Sequence, residues 1–216
     1  MKKLIVLTGP TAVGKTELSI NLAKAVNGEI ISADSIQVYK GMDIGSAKIT
    51  VDEMQGINHY LIDILEPAEE FNIHLFKTLT LKAMDEIYAK DKIPIIVGGT
   101  GLYVDSLIYE IEYQDMEFDI NYRNELMEKA ETNEGLKELY EQAKTIDSKA
   151  MEKISSNDKK RIIRVLEIYK ATGKTKTELE ILSRQKEVEY NYKVFVVNMD
   201  REKLYNRIDK RVDIMI

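Results

Sequence analysis

Residues 9–16 read Gly9-Pro10-Thr11-Ala12-Val13-Gly14-Lys15-Thr16, a complete G-x-x-x-x-G-K-[ST] pattern. A short apolar run, Leu4–Leu7, precedes it, and a helical spacing of apolar residues (Leu18, Leu22, Ala25, Val26) follows. In that context a strand delivers the loop and the glycines let backbone N–H groups turn inward. The start of the following helix adds the positive end of its dipole. Lys15 then reaches a terminal phosphate and Thr16 offers its hydroxyl to Mg²⁺. All eight residues are therefore expected to hold a di- or triphosphate. The loop recognises adjacent phosphates and not the rest of the molecule, so it suits ATP or any other diphosphate equally well.

The strand that feeds such a loop belongs to a parallel sheet, and the next hundred residues agree. Leu4–Thr8, Glu29–Ser32 and Ile93–Val97 read as strands; Lys15–Val26 and 71–90 read as helices, the latter with Leu75, Leu79, Ala83 and Ile87 at helical spacing. Strand–helix alternation predicts an α/β fold of the P-loop NTPase kind, a parallel sheet flanked by helices. Ligands of such sheets sit at the carboxyl ends of the strands. The P-loop, the Asp34-Ser35 turn and Gly98-Gly99-Thr100-Gly101 all fall there. From 113 to 190 strand signals vanish and helical patterns such as Leu126…Ala130 and Leu136…Tyr140 take over. This predicts a helical insertion at 113–190 within a core made of 1–112 and 191–216. Lys193–Asn198 returns to strand character, and Leu204, Ile208, Val212 and Met215 form an apolar stripe still running at Ile216, as expected of a chain cut inside a helix.

Composition narrows the class. The 216 residues carry no cysteine, which excludes disulfides and thiolate metal sites, and no apolar run approaches the ~18 residues that span a bilayer. A cytoplasmic, monomeric protein without a membrane partner is expected. The net charge of −6 argues against a general nucleic-acid binder, but charge is not evenly spread. Between 159 and 176 stand seven basic residues, Lys159, Lys160, Arg161, Arg164, Lys170, Lys174 and Lys176, against the single acid Glu167. Lys160 and Arg164 share a helical face, with Ile162, Leu166 and Tyr169 on the buried one, so this is either a solvated surface or a strip for backbone phosphates. His59 and His74 lie apart and read as packing or loop residues.

Asp34 stands just past the second strand and is either a turn cap, a general base or an Mg²⁺ partner. Many P-loop kinases place a carboxylate there, but they do not carry the longer string Asp34-Ser35-Ile36-Gln37-Val38-Tyr39-Lys40-Gly41-Met42-Asp43-Ile44-Gly45-Ser46-Ala47-Lys48. With that string the chain resembles the tRNA dimethylallyltransferases, also called tRNA isopentenyltransferases. The likeness continues through His59–Ile64, Gly98–Tyr103, Asn157–Arg164 and 201–212.

The resemblance implies that the P-loop holds the diphosphate of dimethylallyl diphosphate. The allyl group would pass to N6 of the adenosine 3′-adjacent to the anticodon in tRNA. Asp34 would take the proton from N6, Thr100 would contact the extruded base or ribose, and Arg207 would reach the diphosphate, with Mg²⁺ on Thr16. It also implies a tRNA-contacting set of Asp34, Ser35, Ile36, Gln37, Thr100, Arg123, Lys160, Arg161, Ile162, Ile163 and Arg164, gripping the anticodon stem-loop. Lys203, Arg207 and Arg211 repeat every four residues on one helical face, and Arg207 is the favoured diphosphate ligand of the three. Family members continue past residue 216 with a region that contacts tRNA. An adenylate prenyltransferase acting on free nucleotide, a small-molecule P-loop kinase and a non-catalytic binding module remain as alternatives. A free nucleotide needs no basic strip, and a kinase gives the Asp34–Lys48 string no role.

Overall fold

The structure, a computed structural model, describes residues 2–108, 119–185 and 190–215. The chain divides into two compact units, Met1–Ile108 with Val188–Ile216, and Tyr109–Glu187. The boundary expected between 112 and 113 lies outside the described residues, as does Ile216. No helix among the described residues is long and apolar enough to cross a membrane.

The first unit runs β1 (Lys2–Thr8), α1 (Lys15–Val26), β2 (Gly28–Ser32), α2 (Val51–Met54), β3 (His59–Tyr60), α3 (Ile73–Tyr88), β4 (Ile93–Gly98), α4 (Gly101–Ile108), β5 (Tyr190–Val196) and α10 (Arg201–Met215). Its five strands form one sheet in the order β3-β2-β4-β1-β5, every pair parallel. The register pairs Ile5 with Ile95 and Ile31 with Ile96, so aliphatic side chains line both faces, as a sheet covered on both sides requires. On one face Ile30 and Ile95 pack with Ile20 and Ala23 of α1. α3 packs on the same two strands through the buried seam Phe76, Thr80, Ala83, Met84 and Ile87, with Phe76 stacked on Tyr103 of α4 at 4.4 Å between ring centres.

Two details differ from the periodicity. In α1 the buried residues are Ser19, Ile20 and Ala23, whereas Leu18 is 45 % exposed. Small side chains let the helix approach the sheet closely, and that seam outweighs the larger residues one step away. In α10 no residue is buried, so its apolar stripe does not pack into this unit's core.

The amino ends of the strands are bolted by a charge. Glu29, 1 % exposed, accepts hydrogen bonds from Asn58, Tyr60, Lys90 and Lys92 at 2.8–3.0 Å. Burial alone would push its carboxyl up, but the bonds from Lys92, Lys90, Tyr60 and Asn58 outweigh this and hold it at about 2. A carboxylate depressed in the fold contributes stability that is complete above the ordinary carboxylate range and lost as pH falls towards 2. Glu29→Gln is therefore expected to cost about 2 kcal/mol in denaturant melts at neutral pH, since both lysines keep access to water. It should also flatten the acid limb of stability over that window; an unchanged limb would refute the assignment.

Among its described residues the second unit has helices and no strand: α5 (Ile120–Lys129), α6 (Asn133–Ile146), α7 (Ser148–Met151), α8 (Lys159–Thr172) and α9 (Lys176–Arg184). Leu126, Leu139, Ala143, Met151, Ile162, Ile163 and Leu166 form its core. Asp147 ties α7 to α9 by accepting from Ala150 N–H and from the N–H and hydroxyl of Thr177.

Candidate active site

The P-loop connects β1 to α1, and its backbone is set for anions. Gly9, Ala12 and Gly14 have φ of 150°, 63° and 99°. Such alternation turns successive N–H groups to one side, and at Ala12 it holds a non-glycine residue in strained backbone. Gly9 has no room for a side chain, because a Cβ there would stand 2.2 Å from the Val197 carbonyl oxygen. The start of α1 has no side-chain cap at Gly14, while α2, α3 and α5–α9 are each capped by a Thr, Asn or Asp side chain. The first N–H groups of α1 are thus left to an anion. Pro10 has no N–H to give and instead presents its carbonyl to Lys15, and Val13 buries its side chain in the core. Thr11 and Thr16 are exposed.

Lys15 Nζ donates to the carbonyls of Gly9 and Pro10, both at 2.7 Å. Burial lowers its pKa below the usual lysine value, the Arg211 guanidinium adds to this and the Asp34 carboxylate opposes it. Lys15 therefore feels groups from two other segments, the turn after β2 and α10.

Asp34 reaches this neighbourhood because the chain leaving β2 crosses the end of β4. Ala33 N–H donates to the Val97 carbonyl at 2.8 Å, and a Cβ on Gly98 would collide with the Ala33 carbonyl oxygen at 2.3 Å. Gly98 permits that crossing, which sets Asp34 beside the Gly99-Thr100 turn. Asp34 Oδ1 accepts from the N–H groups of Ile36 at 2.8 Å and Gln37 at 3.2 Å. Among the described residues no donor is bonded to Oδ2. Thr100 directly precedes α4, its carbonyl accepting from Tyr103 N–H at 3.0 Å. Gly99 lies near Lys15, with 3.9 Å between its hypothetical Cβ and Nζ. Ser35 and Gln37 are half-buried and Ile36 is exposed.

α10 supplies the opposite wall. A Cβ on Gly14 would meet the Arg207 Nη2 at 3.7 Å, so this guanidinium stands over the last glycine of the P-loop. Arg211, one turn on, donates from Nη2 to the Ser46 carbonyl at 3.1 Å. Lys15, Arg207 and Arg211 thus gather three cations around one turn of backbone N–H groups, with Asp34 as the neighbouring carboxylate.

The second unit holds the remaining predicted residues. Ile162 and Ile163 are 0 % and 2 % exposed and belong to its core, so their side chains hold α8 in place and are not offered to an RNA. Tyr169, expected inside, is 43 % exposed. Arg123 spends its guanidinium on Glu167, donating from Nε at 2.6 Å and Nη2 at 3.0 Å, and Arg164 Nη1 lies 3.6 Å from the same carboxylate. Glu167, the lone acid of the basic strip, is buried and anchors the two arginines. Elsewhere Lys159 pairs with Glu131, Arg161 with Asp158, Lys170 with Asp119 and Lys176 with Glu180. Exposed pairs of this kind contribute little, so phosphates can displace the carboxylates at small cost. Lys160 is exposed on the outer face. His59 is half-buried with Nδ1 2.8 Å from the Ile57 carbonyl oxygen, and no group of three acidic or histidine side chains suited to a metal occurs among the described residues.

Comparison with known proteins bears on the same elements. The model of a family described as IPP transferase matches residues 37–216. A tRNA dimethylallyltransferase of Lachnoclostridium phytofermentans is 52 % identical over all 216 residues, which cover 69 % of its length. The full-length tRNA isopentenylpyrophosphate transferase of Bacillus halodurans is 43 % identical, with a TM-score of 0.65 over the whole of this chain and 66 % of its own. A eukaryotic dimethylallyltransferase, solved acting on tRNA, is 33 % identical with a TM-score of 0.77, matching 100 % of this chain and 53 % of its own. The chain thus spans between about half and two thirds of the length of these relatives. With the P-loop sheet, the helical second unit and more than four fifths of the sequence matched by one family model, the chain belongs to the IPP transferase family.

Proposed function

We propose that this protein transfers the dimethylallyl group of dimethylallyl diphosphate to N6 of the adenosine 3′-adjacent to the anticodon in tRNA, releasing diphosphate. The observation that carries the reading is the juxtaposition of an anion cradle, formed by the P-loop with Lys15 and Arg207, and the carboxylate of Asp34 at one sheet edge. Prenyl transfer from a diphosphate needs both. As N6 forms its bond to the allylic carbon, the C–O bond breaks and its electron pair leaves with the diphosphate. The growing charge falls on the loop N–H groups, Lys15 and Arg207, which are already in place before reaction. N6 becomes acidic as the new bond forms, and Asp34 Oδ2 takes its proton. A kinase would need an acceptor hydroxyl and gives the Asp34–Lys48 loop no use.

Mg²⁺ fits this site as a companion of the diphosphate. Thr16 would hold it through one hydroxyl oxygen at the start of α1, beside the diphosphate. When bound it would neutralise charge on the departing group. The anticodon stem-loop would meet Lys160, Arg161 and Arg164 through its phosphates, with Thr100 and the Asp34–Gln37 turn at the extruded base. Extrusion costs a few kcal/mol, and backbone contacts offset it. The reading is of a monomer in the cytoplasm, a compartment that a cysteine-free sequence suits.

The test is transfer of radiolabel from dimethylallyl diphosphate, with Mg²⁺, to unmodified tRNA bearing adenosine beside the anticodon, with AMP and ATP as parallel acceptors. Label in tRNA alone is expected. Label in AMP alone would refute the tRNA reading, and no label despite donor binding would refute transfer by this chain.

A further inference from the structure

Lys48 is 5 % exposed along its side chain, yet it lies in an irregular loop. Its ammonium has three protons and three acceptors: the Tyr39 carbonyl at 2.7 Å, Asp43 Oδ1 at 2.7 Å and Asp63 Oδ1 at 2.5 Å. These three oxygens come from three different stretches of chain. Tyr39 ends the segment that begins at Asp34. Asp43 begins the loop that closes on Lys48 itself, with Lys48 N–H donating to the Asp43 carbonyl. Asp63 lies on the strip after β3 that pairs with the Asp34 segment, donating its own N–H to the Gln37 carbonyl at 3.2 Å, followed by Ile64 and Leu65 N–H to the Val38 carbonyl.

The hub is also tied to the site from its far side. The Ser46 carbonyl, two residues before Lys48, lies 3.3 Å from Gln37 Nε2 and 3.1 Å from Arg211 Nη2. One carbonyl oxygen therefore accepts from the turn that holds Asp34 and from the helix that stands over the P-loop. The backbone is strained at Ala47 and Asp63, with φ of 45° and 55°. Non-glycine residues keep such angles only where surrounding contacts over-determine them.

Resting on the prenyl-transfer reading, we propose that Lys48 is a positioning residue: by binding Tyr39, Asp43 and Asp63 together it fixes the Asp34–Gln37 turn in the geometry that receives the acceptor base. It touches neither diphosphate nor base. Without it, two carboxylates face each other with no cation between them and the 43–48 loop parts from the 61–65 strip. Asp34 then loses the neighbours that set its distance to N6. Displacements of about 1 Å at a reacting group lower rates by about 10²-fold.

The experiment compares wild type with Lys48→Met, Lys48→Arg and Asp63→Asn. It measures donor binding, kcat and KM for tRNA transfer, and the fluorescence of tRNA carrying 2-aminopurine at the target position. Lys48→Met is expected to bind the diphosphate donor within about 3-fold of wild type while kcat falls about 10²-fold, because none of the three bonds that Lys48 makes is to the P-loop. Its 2-aminopurine signal should lose the change that marks the seated base. Lys48→Arg, which keeps a cation between the carboxylates, should recover most of kcat, and Asp63→Asn should fall between. A kcat within 2-fold of wild type in Lys48→Met, or parallel loss of donor binding and kcat, would overturn the proposal; the second would make Lys48 a residue of general folding. Wild type that labels no tRNA would refute the parent reading instead, and the 2-aminopurine comparison would still decide whether Lys48 seats the base.

Discussion

Asp34→Asn is expected to transfer prenyl groups to tRNA about 10³-fold more slowly than wild type, with donor binding changed by less than about 3-fold. Asparagine keeps the side-chain oxygen that accepts from Ile36 and Gln37 N–H, so the turn survives. What is lost is the anionic oxygen that takes the proton from N6. Steady-state transfer with labelled donor measures the rate, and equilibrium dialysis measures the binding. A variant within 10-fold of wild type would mean that the proton leaves to water and that Asp34 serves only as a turn cap.

Lys15→Ala is expected to lower kcat/KM for the donor by about 10²–10³-fold, the scale set by removal of one preorganised group facing developing charge. Its effect on folding should have the opposite sign. The ammonium is partly desolvated and lies near the Arg211 guanidinium, and both lower its pKa, so in the free protein its charge opposes the fold. The variant without ligand should therefore melt no lower than wild type, with a gain that is complete while the folded lysine is charged and fades as pH rises through the ordinary lysine range. A large fall in melting temperature would show that Lys15 is a structural strut between Gly9 and Pro10. Functional groups bought at the expense of stability are common in binding sites.

Much of this site was legible because it is written in contiguous strings. The P-loop needs a strand before it, a helix after it and eight residues between, and all three are visible in residues 4–26. Asp34 was legible as the first polar residue past an apolar strand. The Gly98–Gly101 turn was legible for the same reason. Other features depend on contacts that no local pattern records. Glu29 reads as an ordinary strand residue until Asn58, Tyr60, Lys90 and Lys92 fold around it. Arg211 meets Ser46 across 165 residues of chain, and Lys48 meets Asp63 across 15. The phase of an amphipathic helix is also poorly determined when small residues compete with large ones, as at Ser19 and Ala23 of α1. Ile162 and Ile163 came with a motif whose neighbours are basic, but a motif does not say which way a side chain faces. Glu167 carried a usable signal, since a single acid among seven bases on one stretch is more often a buried counter-ion than an exposed exception.

The uncapped start of α1 has a consequence for how this protein behaves between turnovers. Among the described residues, eight other helices have their first turn closed by the side chain that precedes them. Under the proposed function the donor would be the cap of α1, so substrate would complete the secondary structure and departing diphosphate would leave it incomplete. Folding and occupancy then form one linked equilibrium, in which each tenfold excess of donor over its dissociation constant adds about 1.4 kcal/mol to the fold. The protein is most robust while it is working, and a melting curve taken at rising diphosphate concentration reads the state of its first helix directly.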